Sequence, residues 1–159
     1  GTSLAAQERI YRELAAQKGW TTVNEFRGCE SATQANSDRR VLQQAHVLGS
    51  RSEATQKLLD PVREWGTVQT IGSIAYKLAL VAAQEGDITV SFRPKNEWDI
   101  CAGTLLVSEA GGIVTDLRGN SLRFNQPKTL VHGIIAANPT LHTHALQWIR
   151  ERPELQSTV

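Results

Sequence analysis

The chain has little of several features that mark particular classes of protein. Its two cysteines, Cys29 and Cys101, stand far apart in unlike contexts, which excludes a disulfide framework or a Cys-x-x-Cys zinc site. With 17 lysines and arginines against 16 aspartates and glutamates, the net charge is +1, so there is no electrostatic footprint for a nucleic acid or a membrane surface. No apolar run approaches the roughly 18–20 residues of a membrane span. A Gly-x-Gly-x-x-Gly motif and a phosphate-loop signature are also missing.

The first five residues lack the basic patch and apolar stretch of a secretory signal. We therefore expect a soluble cytoplasmic protein with reduced thiols that binds neither nucleic acid nor membrane. The composition, 40% hydrophobic and 21% charged, is that of a globular protein. We expect an N-terminal helix and irregular segment over residues 1–40, an α/β domain over residues 41–152 and a frayed tail over residues 153–159.

Hydrophobic periodicity alternates along the chain between that of strands and that of helices. The clearest helix is predicted over residues 74–85, with Ser73 as N-cap and Gly86 just beyond its end. A last helix is predicted after Asn138 as its cap. This alternation favours an α/β layered domain with a mixed sheet and packed helices. Strands are predicted over residues 41–48, 66–71, 87–92, 113–116, 121–124 and 133–137, and further helices over residues 3–18, 53–60 and 99–110.

The most informative segment covers residues 96–103, between a predicted strand and a helix. Because residues 99–110 are apolar on nearly every side, we expect this helix to be buried between layers. Asp99 would then lie at the helix N-terminus, near the carboxyl end of a strand, where layered α/β folds bind ligands and where a carboxylate can hold a hard cation. The alternative is that Asp99 is only a helix cap beside a core Trp98, with Glu97 a surface charge.

A second segment, Gly-Ser-Ile-Ala-Tyr-Lys at residues 72–77, forms the turn from a strand into the clearest helix. Gly72 can supply an unusual backbone angle, and Ser73 can cap the helix. Lys77 lies in the first turn, where the helix dipole disfavours a cation, so an anionic partner such as a phosphate would explain it. The alternative is a solvated lysine without such a partner.

Together these motifs closely resemble the C-terminal signature of the inositol monophosphatase superfamily. The similarity covers about residues 41–150 and is closest to the 3′(2′),5′-bisphosphate nucleotidase branch. The motifs are Leu-Gly-Ser-Arg-Ser at 48–52, Gly-Ser with Lys77 at 72–77, Glu-Trp-Asp-Ile-Cys-Ala-Gly at 97–103, Leu-Leu-Val-Ser-Glu-Ala-Gly-Gly at 105–112, Val-Thr-Asp at 114–116 and Gly-Ile-Ile-Ala-Ala-Asn at 133–138.

The resemblance implies a magnesium-dependent phosphomonoesterase with the layered α/β/α/β/α sugar-phosphatase fold, of which this chain supplies the C-terminal half. It also implies that Asp99 is the catalytic ligand of Mg²⁺ and that Gly72, Ser73 and Lys77 contact a small phosphorylated substrate. The best candidate substrate is a 3′(2′),5′-bisphosphate nucleotide. The alternatives are an inositol-1-phosphate monophosphatase and a non-catalytic protein that binds phosphate ligands or a partner.

The chain also departs from the family pattern. The early Glu and the Asp-Pro-Ile/Leu-Asp-Gly-Thr motif that hold the other metal ligands are absent. The nucleotidase branch often has a His after Ser-Arg-Ser and an Arg near strand 87–92, where this chain has Glu53 and Ser91. One carboxylate cannot build a magnesium site. We therefore expect little activity from the chain alone, and either a homodimer or docking to a missing N-terminal half.

Overall fold

The computed structural model describes residues 42–156, which form a five-stranded sheet with helices on both faces. A separate two-stranded pair lies beside this sheet. The strands are β1 (Ala45–Ser50), β2 (Gly66–Ile71), β3 (Ile88–Ser91), β4 (Lys95–Asn96), β5 (Ile113–Thr115), β6 (Leu130–Val131) and β7 (Ile134–Ala137). The helices are α1 (Arg51–Thr55), the 3₁₀ helix η1 (Pro61–Trp65), α2 (Ile74–Ala82), α3 (Glu97–Glu109), α4 (Pro139–Arg150) and α5 (Pro153–Gln156).

The larger sheet has the order β2-β1-β3-β7-β5. Strand β1 pairs in parallel with both β2 and β3, whereas β7 pairs antiparallel with β3 and β5. The expected mixed sheet of a layered α/β domain is therefore confirmed. Since β1, β2 and β3 run in one direction, their carboxyl ends meet at the same edge of the sheet. We call this the carboxyl edge, and α1, α2 and α3 each begin shortly after one of its strands.

Successive residues of the strands point into two cores on opposite faces of the sheet. On one face, Val47 packs in a cluster with Trp65 of η1 and Ile149 of α4. On the other face, Leu48 belongs to a cluster with Ile100 of α3 and with residues of α2. The described chain therefore has three layers, with α2 and α3 side by side on one face of the sheet.

The two predicted N-caps are confirmed. The Ser73 hydroxyl accepts a hydrogen bond from a first-turn N–H of α2 at 3.3 Å, and the Asn138 side chain does the same for α4 at 2.9 Å. The predicted end of α2 is wrong, because Gln84 rather than Gly86 takes the left-handed conformation, with a φ of 62°. The left-handed turn therefore forms at a glutamine, although glycine adopts this conformation at the lowest cost.

Several other boundaries differ from their predictions. The strand predicted over residues 121–124 is reduced to one bridge between Ser121 and Thr115. The tail predicted to fray begins with the short helix α5, in which Leu155 is buried against the core. The predicted helix over residues 3–18 lies outside the described residues.

The prediction that α3 is buried on all sides is wrong for the described part of the chain. Ile100 and Val107 face the core, but Trp98, Leu105 and Leu106 are exposed at 66%, 61% and 43%. The last three residues lie at i, i+7 and i+8, which places them on one side of the helix. We call this side the α3 apolar face. Within residues 42–156, no helix has the length and apolar character needed to cross a bilayer.

Candidate functional site

The predicted site residues gather at the carboxyl edge of the sheet. The turn with Gly72 and Ser73 follows β2, Lys77 lies in the first turns of α2, and Asp99 lies near the start of α3. Ligands in open α/β sheets bind in the crevice outside the carboxyl ends of the strands. The topology therefore places all four predicted residues where a ligand would be expected.

Gly72 and Ser73 shape the turn between β2 and α2. Ser73 has a φ of 59° and a ψ of 119°, a conformation that costs a residue with a side chain on the order of 1–3 kcal/mol and occurs often at ligand sites. The sequence predicted an unusual backbone angle at Gly72, but the structure places it at Ser73. Gly72 instead lies against the guanidinium of Arg51, since a Cβ there would lie 2.5 Å from Nη2 of Arg51.

Lys77 is a buried cation, with 2% of its surface exposed, so the alternative of a solvated lysine is wrong. Its Nζ donates to two carbonyl oxygens of the preceding turn, both at 3.3 Å. Burial lowers the pKa of Lys77 to about 8. The negative charge of Glu53 works against this lowering of the pKa, and the positive charges of Lys95 and Arg51 add to it.

Glu53 is the residue whose importance the sequence did not reveal. It is 1% exposed, and its carboxylate accepts hydrogen bonds from the Ser91 hydroxyl at 2.5 Å and from the Phe92 N–H at 3.0 Å. Lys95 forms an ion pair with the same carboxylate at 3.4 Å. Glu53 and Ser91 are the two departures from the nucleotidase pattern, and they are bonded to each other across 38 positions of sequence. The sequence shows that each residue differs from the nucleotidase pattern, but it does not indicate that the two residues bond to each other.

Lys77 and the two cations whose charges act on it, Arg51 and Lys95, form a group near Glu53. Arg51 belongs to α1, Lys77 to α2 and Lys95 to β4, and we call them the cationic cluster. Together they give this part of the carboxyl edge an excess of positive charge. The N-terminus of α2 adds the unpaired N–H groups and the positive end of its dipole. This arrangement can bind an anion such as a phosphate group.

Asp99 is exposed in the first turn of α3. It lies one turn before Gly103, where α3 packs so closely on α2 that a Cβ would lie 2.6 Å from Cδ1 of Leu78. Residues four apart share one side of a helix, so Asp99 lies on the side of α3 that faces α2. Its carboxylate is thus open to solvent and on the same side of the sheet as the turn at Gly72.

Glu97 was expected to be a surface charge, and this is wrong. It is 7% exposed, and its carboxylate accepts backbone N–H bonds from Asn125 at 2.6 Å and from Gln126 at 3.2 Å. These bonds tie the segment before β6 to the start of α3. Because both carboxylate oxygens have N–H partners, Glu97 has a structural role.

A magnesium site is not complete within the described residues. Residues 42–156 contain no group of three or more His, Cys, Asp or Glu side chains placed to hold a metal ion. The exposed carboxylate of Asp99 is a ligand of the kind that Mg²⁺ prefers, but the ion needs about six oxygens. Asp99 fits the role of one ligand and cannot hold the ion by itself.

A protein-family match covers most of the chain and agrees with its motifs and its fold. The model of the inositol monophosphatase family matches residues 12–154. The chain belongs to the inositol monophosphatase family. The resemblance that its motifs predicted is therefore confirmed.

Individual family members are moderately similar to this chain. The fructose-1,6-bisphosphatase/inositol-1-monophosphatase of Thermotoga maritima is 31% identical over 104 residues, which are 65% of this chain and 38% of that protein. A 3′(2′),5′-bisphosphate nucleotidase of Oryza sativa is 37% identical over 81 residues, which are 47% of this chain and 23% of that protein. A solved IMPase structure from Thermotoga maritima superimposes with a TM-score of 0.59 at 28% identity, covering 79% of this chain and 48% of that one. The chain thus spans less than half the length of these family members.

Proposed function

We propose that this chain is the C-terminal part of a magnesium-dependent phosphomonoesterase that hydrolyses a small phosphate ester. The observation that carries the proposal is the cationic cluster at the carboxyl edge, the edge after which α3 also begins with the exposed Asp99 in its first turn. An anion site next to a candidate metal ligand is what a phosphate ester requires. Our best candidate substrate is a 3′(2′),5′-bisphosphate nucleotide, whose second phosphate would give the cationic cluster a partner.

Within this proposal, each group of the chain has a separate task. The cationic cluster attracts and orients the phosphorylated substrate, and the turn at Ser73 approaches it with its exposed hydroxyl. Asp99 supplies one oxygen ligand of a Mg²⁺ site, whose other ligands come from polypeptide outside the described residues. When bound, Mg²⁺ would activate water and neutralise charge on the phosphate.

An inositol-1-phosphate monophosphatase is the second candidate. The nucleotidase pattern places a His and an Arg where this chain has Glu53 and Ser91. The bond between these two residues fills that position with a buried carboxylate, which weakens the nucleotide assignment. Relatives with each activity in their names match the chain, so the substrate must be tested directly.

The missing ligands suggest a partner segment. The α3 apolar face is uncovered by the described residues, and the chain spans 38% of its Thermotoga maritima relative. We propose that an N-terminal half of the kind found in that relative docks on this face and completes the site. A homodimer through the same face is the alternative.

The activity test compares the chain alone with the chain co-expressed with the N-terminal half of the Thermotoga maritima relative. Phosphate release is measured with Mg²⁺ from a bisphosphate nucleotide and from inositol 1-phosphate. We expect little turnover from the chain alone and Mg²⁺-dependent hydrolysis by the complex. Asp99→Asn should reduce that hydrolysis by about 100-fold or more, whereas Asp60→Asn, at an exposed carboxylate beside η1, should leave it unchanged.

Three results would contradict this proposal or one of its parts. Turnover by the chain alone at the rate of ordinary enzymes would show that the site needs no further ligands. A soluble complex that hydrolyses neither substrate would contradict the proposed phosphatase activity. Equal Mg²⁺ affinity of the wild-type and Asp99→Asn complexes would exclude Asp99 as a ligand.

A further inference from the structure

We propose that Glu53 is a positioning residue that holds Arg51, Lys77 and Lys95 together as one binding site for a tetrahedral dianion. The natural ligand would be a phosphate group of the substrate, and this identity rests on the proposed function. The binding of a simple dianion by the cluster does not rest on it.

The carboxylate of Glu53 is fixed and closed to ligands. One oxygen accepts the Ser91 hydroxyl bond and lies 3.4 Å from Nζ of Lys95, and the other accepts the N–H of Phe92 at 3.0 Å. Both oxygens are thus paired within the fold, and the negative charge of this carboxylate would repel a dianion. It therefore acts through the cations around it, by anchoring α1 to the end of β3 and by holding Lys95.

The surroundings of the three cations leave room for a further ligand. The Lys95 side chain is 17% exposed, and the guanidinium of Arg51 occupies the space above Gly72 that a side chain would fill. The Lys77 ammonium has three protons, and two carbonyl oxygens accept two of them. One N–H is left without an acceptor among the described residues, so the most buried cation of the cluster can still donate to a ligand.

Electrostatics explain why an acid lies within a site for anions. Three cations at short range repel each other, and burial disfavours the charged form of Lys77. The charged groups that act on Lys77 are Glu53 and Arg51 of α1 and Lys95 of β4. Only Glu53 favours the protonated lysine, so it keeps the pKa of Lys77 at about 8. Without Glu53 the lysine would lose its proton, and the site one of its three positive charges, closer to neutral pH.

Sulfate is the probe that tests this role, because its charge stays at −2 through the relevant pH range. Its affinity for the 159-residue chain is measured by calorimetry without Mg²⁺ between pH 6.5 and 9. We expect binding to weaken as the pH rises through about 8. In Glu53→Gln the midpoint of this loss should move down by about one pH unit. Glu85→Gln, at an exposed acid just past the other end of α2, should leave the midpoint unchanged.

A direct titration of Lys77 covers the case in which Glu53→Gln does not fold. In the wild-type chain, the Lys77 side-chain resonance is followed by NMR against pH with and without sulfate. Sulfate bound to the cluster should raise the pKa of Lys77. The proposal is wrong if sulfate leaves this titration unchanged, or if a folded Glu53→Gln variant binds sulfate with the wild-type pH midpoint.

These measurements separate the two proposals. Sulfate binding with the expected pH dependence, in a complex that hydrolyses no phosphate ester, would support the role of Glu53 and contradict the proposed function. Hydrolysis by a complex in which the pKa of Lys77 does not respond to sulfate would support the proposed function and contradict the role of Glu53.

Discussion

Three buried polar residues of the described chain have partners that lie far away in sequence. Glu53 reaches the end of β3, Glu97 reaches the segment before β6, and His142 of α4 reaches Thr115 of β5. A buried polar group without a partner would cost about 1–3 kcal/mol. Each of these pairs therefore fixes one contact between elements in addition to the apolar core.

His142 should make the stability of the chain depend on pH. It is 5% exposed, its Nε2 lies 2.9 Å from the Thr115 hydroxyl, and burial lowers its pKa below 6.5. The folded state then binds fewer protons than the unfolded state once the pH falls below about 6.5, so stability decreases from that pH downward. Urea unfolding at pH 7.5 and 5.5 measures this loss.

Substitution identifies the histidine responsible. His142→Gln keeps a hydrogen-bonding side chain and should make the urea midpoint less dependent on pH. His132→Gln, at an exposed histidine near β7, should keep the wild-type dependence. An equal pH dependence in wild type and His142→Gln would show that His142 does not titrate differently on folding.

Local signals were sufficient for some residues and insufficient for others. The caps Ser73 and Asn138 were predicted because a cap bonds within its own first turn. The burial of Glu53 and Glu97 was not predicted, because their partners lie 28 to 42 positions away. The resemblance to the family indicated the region of the site, but it identified Glu53 only as a difference from the nucleotidase pattern.

At the scale of helices and strands, α3 shows how one pattern supports two readings. Its apolar residues on nearly every side predicted burial between two layers, which is the usual meaning of such a pattern. The described residues supply one layer, and Trp98, Leu105 and Leu106 remain exposed. The pattern correctly predicted a helix, but it could not indicate whether the described residues also supply the second layer.

Gly103 is needed for the contact between α2 and α3. A Cβ there would lie 2.6 Å from Cδ1 and 2.7 Å from Cβ of Leu78, and the second atom cannot rotate away. Gly103→Ala should therefore destabilise the chain by about 1–3 kcal/mol through overpacking, although alanine favours a helix by up to about 1 kcal/mol. The change is measured by urea unfolding.

Ser108→Ala is the matched control for this prediction. Ser108 is an exposed residue of the same helix, so the substitution changes helix propensity without touching α2. It should leave stability within about 0.5 kcal/mol of wild type. If Gly103→Ala were as stable as Ser108→Ala, the close packing of the two helices at Leu78 would be wrong.

For the molecule as a whole, alternation of strands and helices was enough to predict the fold class. The mixed sheet followed from it, because parallel strands joined by helices leave few other layered arrangements. The strand order and the gathering of Arg51, Lys77 and Lys95 at one edge could not be predicted, since they depend on contacts between distant elements. Under the proposed function, the remaining metal ligands come from polypeptide outside the described residues.

The α3 apolar face should therefore govern how the chain associates. Exposed apolar patches of this kind drive self-association when their partner is absent. We expect the 159-residue chain alone to form larger species with rising concentration in sedimentation velocity, and Leu105→Lys to shift it toward the monomer. Leu130→Lys, at a residue of β6 that is 51% exposed, should not have this effect.

In the complex with the N-terminal half, Leu105→Lys should weaken assembly about 10-fold or more, as expected for one charge placed in an apolar interface. A wild-type chain that stays monomeric at every concentration, or an equal effect of both substitutions, would show that this face is not the docking surface.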